Sequence, residues 1–145
     1  MSRLTILHVD DDSNDALLFQ HACRKAGVEV DLQGVSDGDE AIAYLRGQDQ
    51  FADRQQFPLP RLILLDLKMP RLSGFEVLGW LRQNDQWKRL PVVVLTSSSH
   101  DADVNRAYDL GANSYLVKPV GFEALVEIAR AIHLYWLTLN ERPTA

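Results

Sequence analysis

The sequence contains only one cysteine, Cys23, so no disulfide can form within the chain. It also lacks any apolar stretch near the roughly 18 residues that span a membrane, and it does not open with a basic segment leading into a long apolar run. Basic residues are outnumbered, 15 against 20 acidic residues, which gives a net charge of −5. This balance argues against nonspecific binding to nucleic acid or to anionic membranes, although contact through a small local patch stays open. The expected location is a reducing cytoplasm.

The composition that remains is typical of one globular domain. Of the 145 residues, 46% are apolar and 24% are charged, enough to build one core over residues 1–145. Five short apolar segments, at residues 4–9, 28–35, 62–65, 91–95 and 115–117, alternate with longer segments of helical period. LTILHV, LILL and VVVL are almost continuously apolar, as parallel strands covered on both faces are. The pattern predicts an α/β protein with a doubly wound parallel sheet and helices on both faces.

The segments between the strands supply the predicted helices. They comprise residues 15–27, 37–47, 74–83, 101–112 and 122–139, of which the last is the longest and most apolar. In the first helix, Leu17, Leu18 and His21 have helical spacing and mark a candidate buried stripe. Residues 47–61 read as a polar loop that Phe51 and Phe57 are expected to order locally.

Polar residues follow four of the five predicted strands. They are Asp10, Asp11 and Asp12 after the first strand, Asp66 after the third, Thr96 and Ser97 after the fourth, and Lys118 and Pro119 after the fifth. In a doubly wound sheet these strand ends meet at one rim, where ligands bind. Clustered carboxylates repel one another unless a cation is present, and such sites suit Mg²⁺, which also binds phosphate oxygens. With a hydroxyl and an ammonium beside them, the predicted chemistry is phosphoryl transfer.

In these motifs the chain resembles the receiver domain of bacterial two-component response regulators, and in overall design the single-domain chemotaxis regulator. The matching segments are VDDD, LILLDLKMP, VVVLTSS and YLVKP, in the family's order and at family-like spacing, over residues 5–137. The resemblance implies a flavodoxin-like sheet of five strands in the order 2-1-3-4-5, and one receiver domain with an extended C-terminal helix and no output domain. It also implies a phosphoacceptor signalling protein that catalyses only its own phosphorylation and dephosphorylation, rather than an enzyme.

The resemblance implies a metal site beside the acceptor. Asp66 would be the nucleophile and phosphoacceptor and would also face the metal. Asp11 would bind Mg²⁺ directly, with Mn²⁺ able to substitute, and Asp10 would act mainly through a metal-bound water. The backbone carbonyl of Lys68 would supply a further oxygen. Of the remaining acidic residues in this segment, Asp12 is expected to cap the first helix unless Ser13 does so.

The resemblance also implies a switch. The Thr96 hydroxyl and the Lys118 ammonium would bind phosphoryl oxygens once Asp66 is modified. Tyr115 matches the aromatic residue that turns inward when that hydroxyl moves. Pro119 would follow a cis peptide bond that helps to aim Lys118.

Two positions depart from the common pattern of the family. Lys68 stands where Asn or another polar residue is frequent, and its side chain is placed to shield the phosphoryl group or to interact with attacking water. Ser97 follows the switch threonine, and its small side chain should leave the phosphate accessible. The lifetime of the phosphorylated state therefore cannot be carried over from the family.

Three other functions fit the same residues less well. A calcium loop starting at Asp10 fails because Asp15 stands where glycine is needed and His21 where a bidentate glutamate belongs. A phosphatase of the haloacid dehalogenase type would use Asp10 as nucleophile and Asp12 as acid/base, but it leaves Asp66 without its distinctive place. A phosphorylation-independent binding module would not need the complete set of acidic pair, acceptor, hydroxyl and lysine. A metal role for any of the four histidines is not expected.

The last predicted helix indicates the partners. Its expected core stripe is Leu125, Ile128, Ala129, Ile132, Trp136 and Leu139, and its second apolar side is Val126, His133, Tyr135 and Leu137. Surplus apolar surface often marks an interface, unless the C-terminal residues fold back and cover it. The ending HLYWLTLNERP resembles single-domain regulators paired with bacterial phytochrome-type histidine kinases, which implies a sensor kinase partner. The same resemblance implies a homodimer through the fourth helix, fifth strand and fifth helix, and no direct binding to nucleic acid or membrane.

Overall fold

The structure is a computed structural model that describes residues 3–143. A single sheet of five parallel strands has the order β2-β1-β3-β4-β5, which confirms the predicted order. The strands are β1 (Thr5–Val9), β2 (Asp31–Val35), β3 (Leu62–Leu65), β4 (Val92–Thr96) and β5 (Ser114–Val117). The α-helices are α1 (Ser13–Ala26), α2 (Gly38–Arg46), α3 (Gly74–Gln83), α4 (Asp101–Asp109) and α5 (Phe122–Ile132). Within residues 3–143 no helix is both long and apolar enough to cross a bilayer.

The two faces of the sheet carry separate apolar layers. On one face, Ile6, Leu62 and Leu64 pack with residues of α1 and α5. On the other face, Leu7 and Ile63 pack with residues of α2 and α3. The central strands β1, β3 and β4 are buried along their whole length, as their continuous apolar sequence predicts. The doubly wound sandwich therefore fixes the ends of β1 and β3 side by side.

The first helix buries a different stripe from the predicted one. Leu17 and Leu18 are 50% and 45% exposed, and the buried residues are Phe19, Ala22 and Cys23. Both stripes satisfy helical spacing, so periodicity alone could not choose between them. The choice follows from the packing of α1 against α5, which places Phe19 rather than the two leucines in the core.

The predicted long C-terminal helix changes its winding. The α-helical part ends at Ile132, and a π-helical segment continues over His133–Leu139. The Asn140 amide donates to the Tyr135 carbonyl five residues earlier, which is the wider π spacing. The wider turn changes which side chains face the sheet, so Leu139, expected in the core stripe, is 62% exposed. Val126, expected on the second side, is buried in the core.

The polar connection between α2 and β3 is ordered by its aromatic residues. Phe51 is buried, and its ring lies 5.2 Å from that of Phe57 and 5.1 Å from that of Tyr44. Arg54 donates hydrogen bonds to the carbonyls of Tyr44 (2.8 Å), Leu45 (2.7 Å) and Phe57 (3.2 Å). The guanidinium thus satisfies carbonyls at the C-terminal end of α2, and the predicted local ordering is confirmed.

Candidate functional site

The acceptor candidate and the acidic segment are neighbours because of strand register. Val9 pairs with Leu65, and the next residues along the two strands are Asp10 and Asp66. The Asp66 amide donates to the Val9 carbonyl at 2.9 Å, which extends the pairing by one step. Both carboxylates lie at the carboxyl end of the sheet, where the strand order reverses at β1 and β3.

Three carboxylates converge at this rim. Asp10, Asp11 and Asp66 can each offer an oxygen, and these oxygens lie within 4.8 Å of one another. Asp10 and Asp66 are buried at 4% and 6% exposure, whereas Asp11 is open to solvent. Burial raises the pKa of Asp10 to about 6, although hydrogen bonds from Lys118 and from the Asp12 amide oppose the shift. Hard oxygen donors at such close spacing fit a small divalent cation.

Lys118 supplies the positive charge that this cluster faces within the protein. Its ammonium donates at 2.8 Å to both Asp10 and Asp15, and it lies 3.5 Å from Asp66. Burial alone would lower the pKa of Lys118, but the bonds to these carboxylates outweigh burial and raise it above the usual value. The residue therefore stays cationic and can also attract an anionic group bound beside Asp66.

Thr96 holds the Asp66 carboxylate from the neighbouring strand. Its hydroxyl donates to Asp66 Oδ1 at 2.8 Å, and the residue is fully buried. The Lys118 amide donates to the Thr96 carbonyl at 2.7 Å, so the two phosphate-binding candidates are also joined through the backbone. Thr96 and Lys118 thus approach Asp66 from β4 and from the end of β5.

The loop after Asp66 is held close to the Asp66 carboxylate and backbone. The Lys68 amide lies 3.5 Å from Asp66 Oδ1, at the limit of a hydrogen bond. A side chain at Gly74 would meet the Asp66 carbonyl oxygen at 2.2 Å, so only glycine fits where α3 begins. The Lys68 ammonium points to Asp103 on α4 and is 3.3 Å from its carboxylate. Ser97 is exposed, in line with the expectation that it leaves the site open.

Tyr115 is linked to the loop that follows β4. Its hydroxyl donates to the Ser98 carbonyl at 2.9 Å, and the ring is half-buried. Burial raises the pKa of the Tyr115 phenol, against the influence of that hydrogen bond. Tyr115 is therefore bonded to a residue that lies two positions after Thr96 in the sequence.

The peptide bond between Lys118 and Pro119 differs from the expectation. No peptide bond in residues 3–143 is cis, so the predicted cis bond before Pro119 is not found. The trans form is the intrinsically favoured one, and with it the Lys118 ammonium already reaches Asp10 and Asp15. The aim of the lysine is therefore set by its carboxylate partners.

Sequence reasoning missed two acidic residues of this region. Asp12 caps α1, its side chain accepting from the amides of Asn14 and Asp15, as expected. Asp15 has no role predicted from the sequence, yet it binds Lys118, and Asp103, which has none either, binds Lys68. The available signal was an acidic residue in the first turn of a helix at the functional rim, since Asp15 and Asp103 both lie there.

Comparison with known proteins agrees with this geometry. A family model for the response regulator receiver domain matches residues 6–130. The response regulator Rcp1 of Synechocystis sp. is 37% identical over 140 residues, which cover 97% of this chain and 93% of Rcp1. The crystal structure of the Mn²⁺-bound form of Rcp1 has a TM-score of 0.84 at 36% identity and covers 97% of this chain and 99% of that one.

Two further relatives extend the comparison. The crystal structure of the phosphorylated cyanobacterial phytochrome response regulator RcpA has a TM-score of 0.88 at 36% identity, covering 99% of this chain and 100% of RcpA. The probable methanogenesis regulatory protein FilR2 of Methanothrix harundinacea is 38% identical over 138 residues, 95% of this chain and 86% of FilR2. The fold, the acidic rim and these matches define a two-component signalling protein, and the chain belongs to the response regulator receiver family. Within that family it is similar to Rcp1 and to the cyanobacterial phytochrome response regulator RcpA along nearly its whole length.

Proposed function

We propose that Asp66 accepts a phosphoryl group from the phosphohistidine of a sensor kinase, in a reaction that requires Mg²⁺ and also proceeds with Mn²⁺. One observation carries the proposal: a single buried carboxylate has the Thr96 hydroxyl at 2.8 Å, the Lys118 ammonium at 3.5 Å and two further carboxylates within metal-binding reach. No other carboxylate in residues 3–143 has this combination of partners.

The chemistry follows from the partners of Asp66. An Asp66 oxygen forms the bond to phosphorus as the nitrogen–phosphorus bond of phosphohistidine breaks, leaving an acyl phosphate and a free imidazole. Asp10, Asp11, Asp66 and the Lys68 carbonyl would hold a divalent cation, which neutralises charge on the transferred group when bound. Thr96 and Lys118 bind the phosphoryl oxygens through a hydroxyl and an ammonium. The protein therefore contributes positioning and charge neutralisation.

Phosphorylation would redirect the existing hydrogen bonds of two donors. The Thr96 hydroxyl now donates to Asp66, and Lys118 now binds Asp10 and Asp15. A dianionic group on Asp66 offers both donors stronger acceptors. Drawing Thr96 inward moves the segment that carries Ser98, to which the Tyr115 hydroxyl is bonded. The result is a shift of population in α4, β5 and Tyr115 toward a signalling state.

A phytochrome-type histidine kinase is the proposed donor. The support is the similarity to Rcp1 and to RcpA, of which RcpA is described as a phytochrome response regulator. FilR2, at a similar level of identity, is described as a methanogenesis regulatory protein, so the class of sensor is tested separately from the chemistry. The rate of phosphoryl transfer from a purified phytochrome kinase, compared with the rate from an unrelated histidine kinase, distinguishes a phytochrome-type donor from another class of sensor.

The proposed homodimer uses α4, β5, α5 and the π-helical segment. Along this side Tyr108 and Val117 are 48% and 42% exposed, and Leu134 and Tyr135 are each 53% exposed. Trp136 is half-buried and packs on the core, with Tyr135 edge-on at 4.9 Å. Such apolar exposure supports an interface. Tyr135→Glu should lower the mass measured by light scattering toward that of a monomer, whereas Gln20→Glu on α1 should not; dimers of both variants would contradict the proposed surface.

The phosphoacceptor is tested by intact-protein mass after incubation with acetyl phosphate, with and without Mg²⁺. The native chain should gain one phosphoryl group only with metal, and Asp66→Asn should gain none. Asp85→Asn, which removes an exposed carboxylate far from the rim, is the matched control and should react as the native chain does. Phosphate gained at full rate by Asp66→Asn would reject the acceptor, and steady phosphate release by that variant would support the phosphatase alternative.

A further inference from the structure

Lys68 is the cation closest in sequence to the acceptor, yet its charge is directed away from the carboxylate cluster. Its backbone amide lies at Asp66, whereas its ammonium is 3.3 Å from Asp103 Oδ2 on the first turn of α4. The ammonium also lies 5.9 Å above the ring of Phe75. The Lys68 side chain is 60% exposed and so is free to take another position if this ion pair is removed.

Asp103 is itself held in place by α4 and the loop before it. The Ser98 hydroxyl donates to Asp103 Oδ2 at 2.6 Å, and the Asp103 amide donates to the His100 carbonyl at 3.0 Å. The Asp103 side chain is only 18% exposed, so its carboxylate has a defined direction. The hydrogen bond from Ser98, with the nearby Lys68 charge, lowers the pKa of Asp103, which is therefore an anion at neutral pH.

A phosphoryl group on Asp66 would compete with Asp103 for the same ammonium. It would carry close to two negative charges at the base of the loop that contains Lys68. An ammonium that reaches the phosphoryl group would neutralise it and occupy the space from which water attacks. An ammonium held by Asp103 leaves that approach open, in line with the exposed and small Ser97.

We propose that Asp103 is a positioning residue that shortens the lifetime of phosphorylated Asp66 by holding the Lys68 ammonium at α4. This inference rests on the proposed function of Asp66. It assigns a role to the ion pair between Lys68 and Asp103, which takes no part in the phosphoryl transfer itself. The hydrolysis is ordinary acyl phosphate cleavage, in which water attacks phosphorus, the bond to the Asp66 oxygen breaks and inorganic phosphate leaves.

The test is a double-mutant cycle on the full chain. Native protein, Asp103→Asn, Lys68→Gln and the double variant are phosphorylated with acetyl phosphate, freed of excess donor, and followed by intact mass in the presence of Mg²⁺. Asp103→Asn should lengthen the half-life by about two- to fivefold, the range available to one partly exposed ion pair. Lys68→Gln, which changes the side chain and keeps the backbone carbonyl, supplies the reference half-life, and against that reference Asp103→Asn should have no further effect in the double variant.

Two controls separate positioning from a structural effect on α4. Asp101→Asn removes the same charge from the same helical turn and should leave the half-life unchanged. Asp103→Glu keeps the carboxylate and should restore most of the native rate. Equal lengthening by Asp103→Asn with and without Lys68 would overturn the inference, as would no lengthening at all. Failure of the native chain to take up phosphate would instead reject the acceptor assignment, and this inference with it.

Discussion

The Lys118 ammonium donates a hydrogen bond to Asp10 at 2.8 Å, across 108 positions of the chain. The lysine therefore occupies a carboxylate that a divalent cation would also use. Two cations cannot share that oxygen without repulsion, so metal binding has to displace or weaken the contact. Lys118 would then be available to a phosphoryl group on Asp66, whose carboxylate lies 3.5 Å from the ammonium.

Replacing Lys118 with glutamine should tighten Mn²⁺ binding and weaken retention of the phosphoryl group. Removal of a charged hydrogen-bond partner from Asp10 is worth about 1 to 2 kcal/mol, or about tenfold in affinity. Titration calorimetry at about pH 8, where Asp10 is fully ionised, would measure the Mn²⁺ affinity of the native chain and of the variant. Lys88→Gln removes an exposed lysine paired with Asp85 and should leave the affinity unchanged. Equal or weaker binding by Lys118→Gln would show that the lysine does not compete with metal.

Gly74 and Gly79 offer a matched pair within α3. A Cβ at Gly74 would lie 2.2 Å from the Asp66 carbonyl oxygen and 2.7 Å from Leu67 Cα, whereas one at Gly79 meets nothing within 4 Å. Gly74→Ala should lower the free energy of unfolding by about 2 to 3 kcal/mol and slow phosphorylation. Gly79→Ala should raise it by up to about 1 kcal/mol, because alanine is the better helix former. Urea denaturation measures both, and equal stabilities would contradict the close approach.

His8 should make stability depend on pH on the acid side. Burial, with a smaller contribution from Lys118, lowers its pKa from 6.5 to about 4, so the folded protein keeps it neutral. Between these two values the unfolded chain binds more protons, and stability must fall as the pH is lowered through this window. From pH 6.5 to about pH 5 the native chain should lose about 1.5 kcal/mol more than His8→Leu does.

The exposed His21 provides the control for this pH dependence. His21→Leu removes a histidine that the fold leaves in solvent, so it should retain the native pH profile. Denaturation curves at the two pH values give the free energy of unfolding of the native chain and of both variants. Parallel losses of stability in native protein and His8→Leu would mean that His8 is protonated in the folded state.

Thr96→Ala should separate phosphoryl uptake from switching. Asp66 keeps Lys118 but loses the buried hydroxyl at 2.8 Å, which should cost about 1 to 2 kcal/mol of stability. Phosphorylation should continue at a reduced rate, whereas the Tyr115 resonances should no longer respond to it. Thr96→Ser keeps the hydroxyl and should keep the response. A full Tyr115 response in Thr96→Ala, measured by NMR, would exclude a role of this hydroxyl in coupling.

The sequence predicts the sheet and the position of Asp66 well because both depend on local composition. The residues of β3 are all apolar, so they admit one interpretation, and the first polar residue after them, Asp66, had to lie at the rim. The stripe of α1 was wrong because Phe19 with Ala22 fits helical spacing as well as Leu17 with Leu18 does. That choice is made by α5, far along the chain.

Pairing of charges was the least predictable part of the site. Asp15 meets Lys118 across 103 positions, and Lys68 meets Asp103 only because α4 begins beside the acceptor loop. Neither pair leaves a spacing in the sequence that distinguishes it from solvated charge. The trans bond before Pro119 is a different case, because trans is the intrinsically favoured form of the dipeptide itself.

The bonds from Arg54 to the end of α2 also limit how this chain can be re-engineered. Exposed polar connections are usually the preferred places for inserting a foreign peptide or for opening new termini in a circular permutant. Here a residue added between Leu45 and Arg54 would pull the guanidinium from two carbonyls and separate Phe51 from Phe57. For a designer, this connection is part of the folded framework, whatever its hydrophilic composition implies.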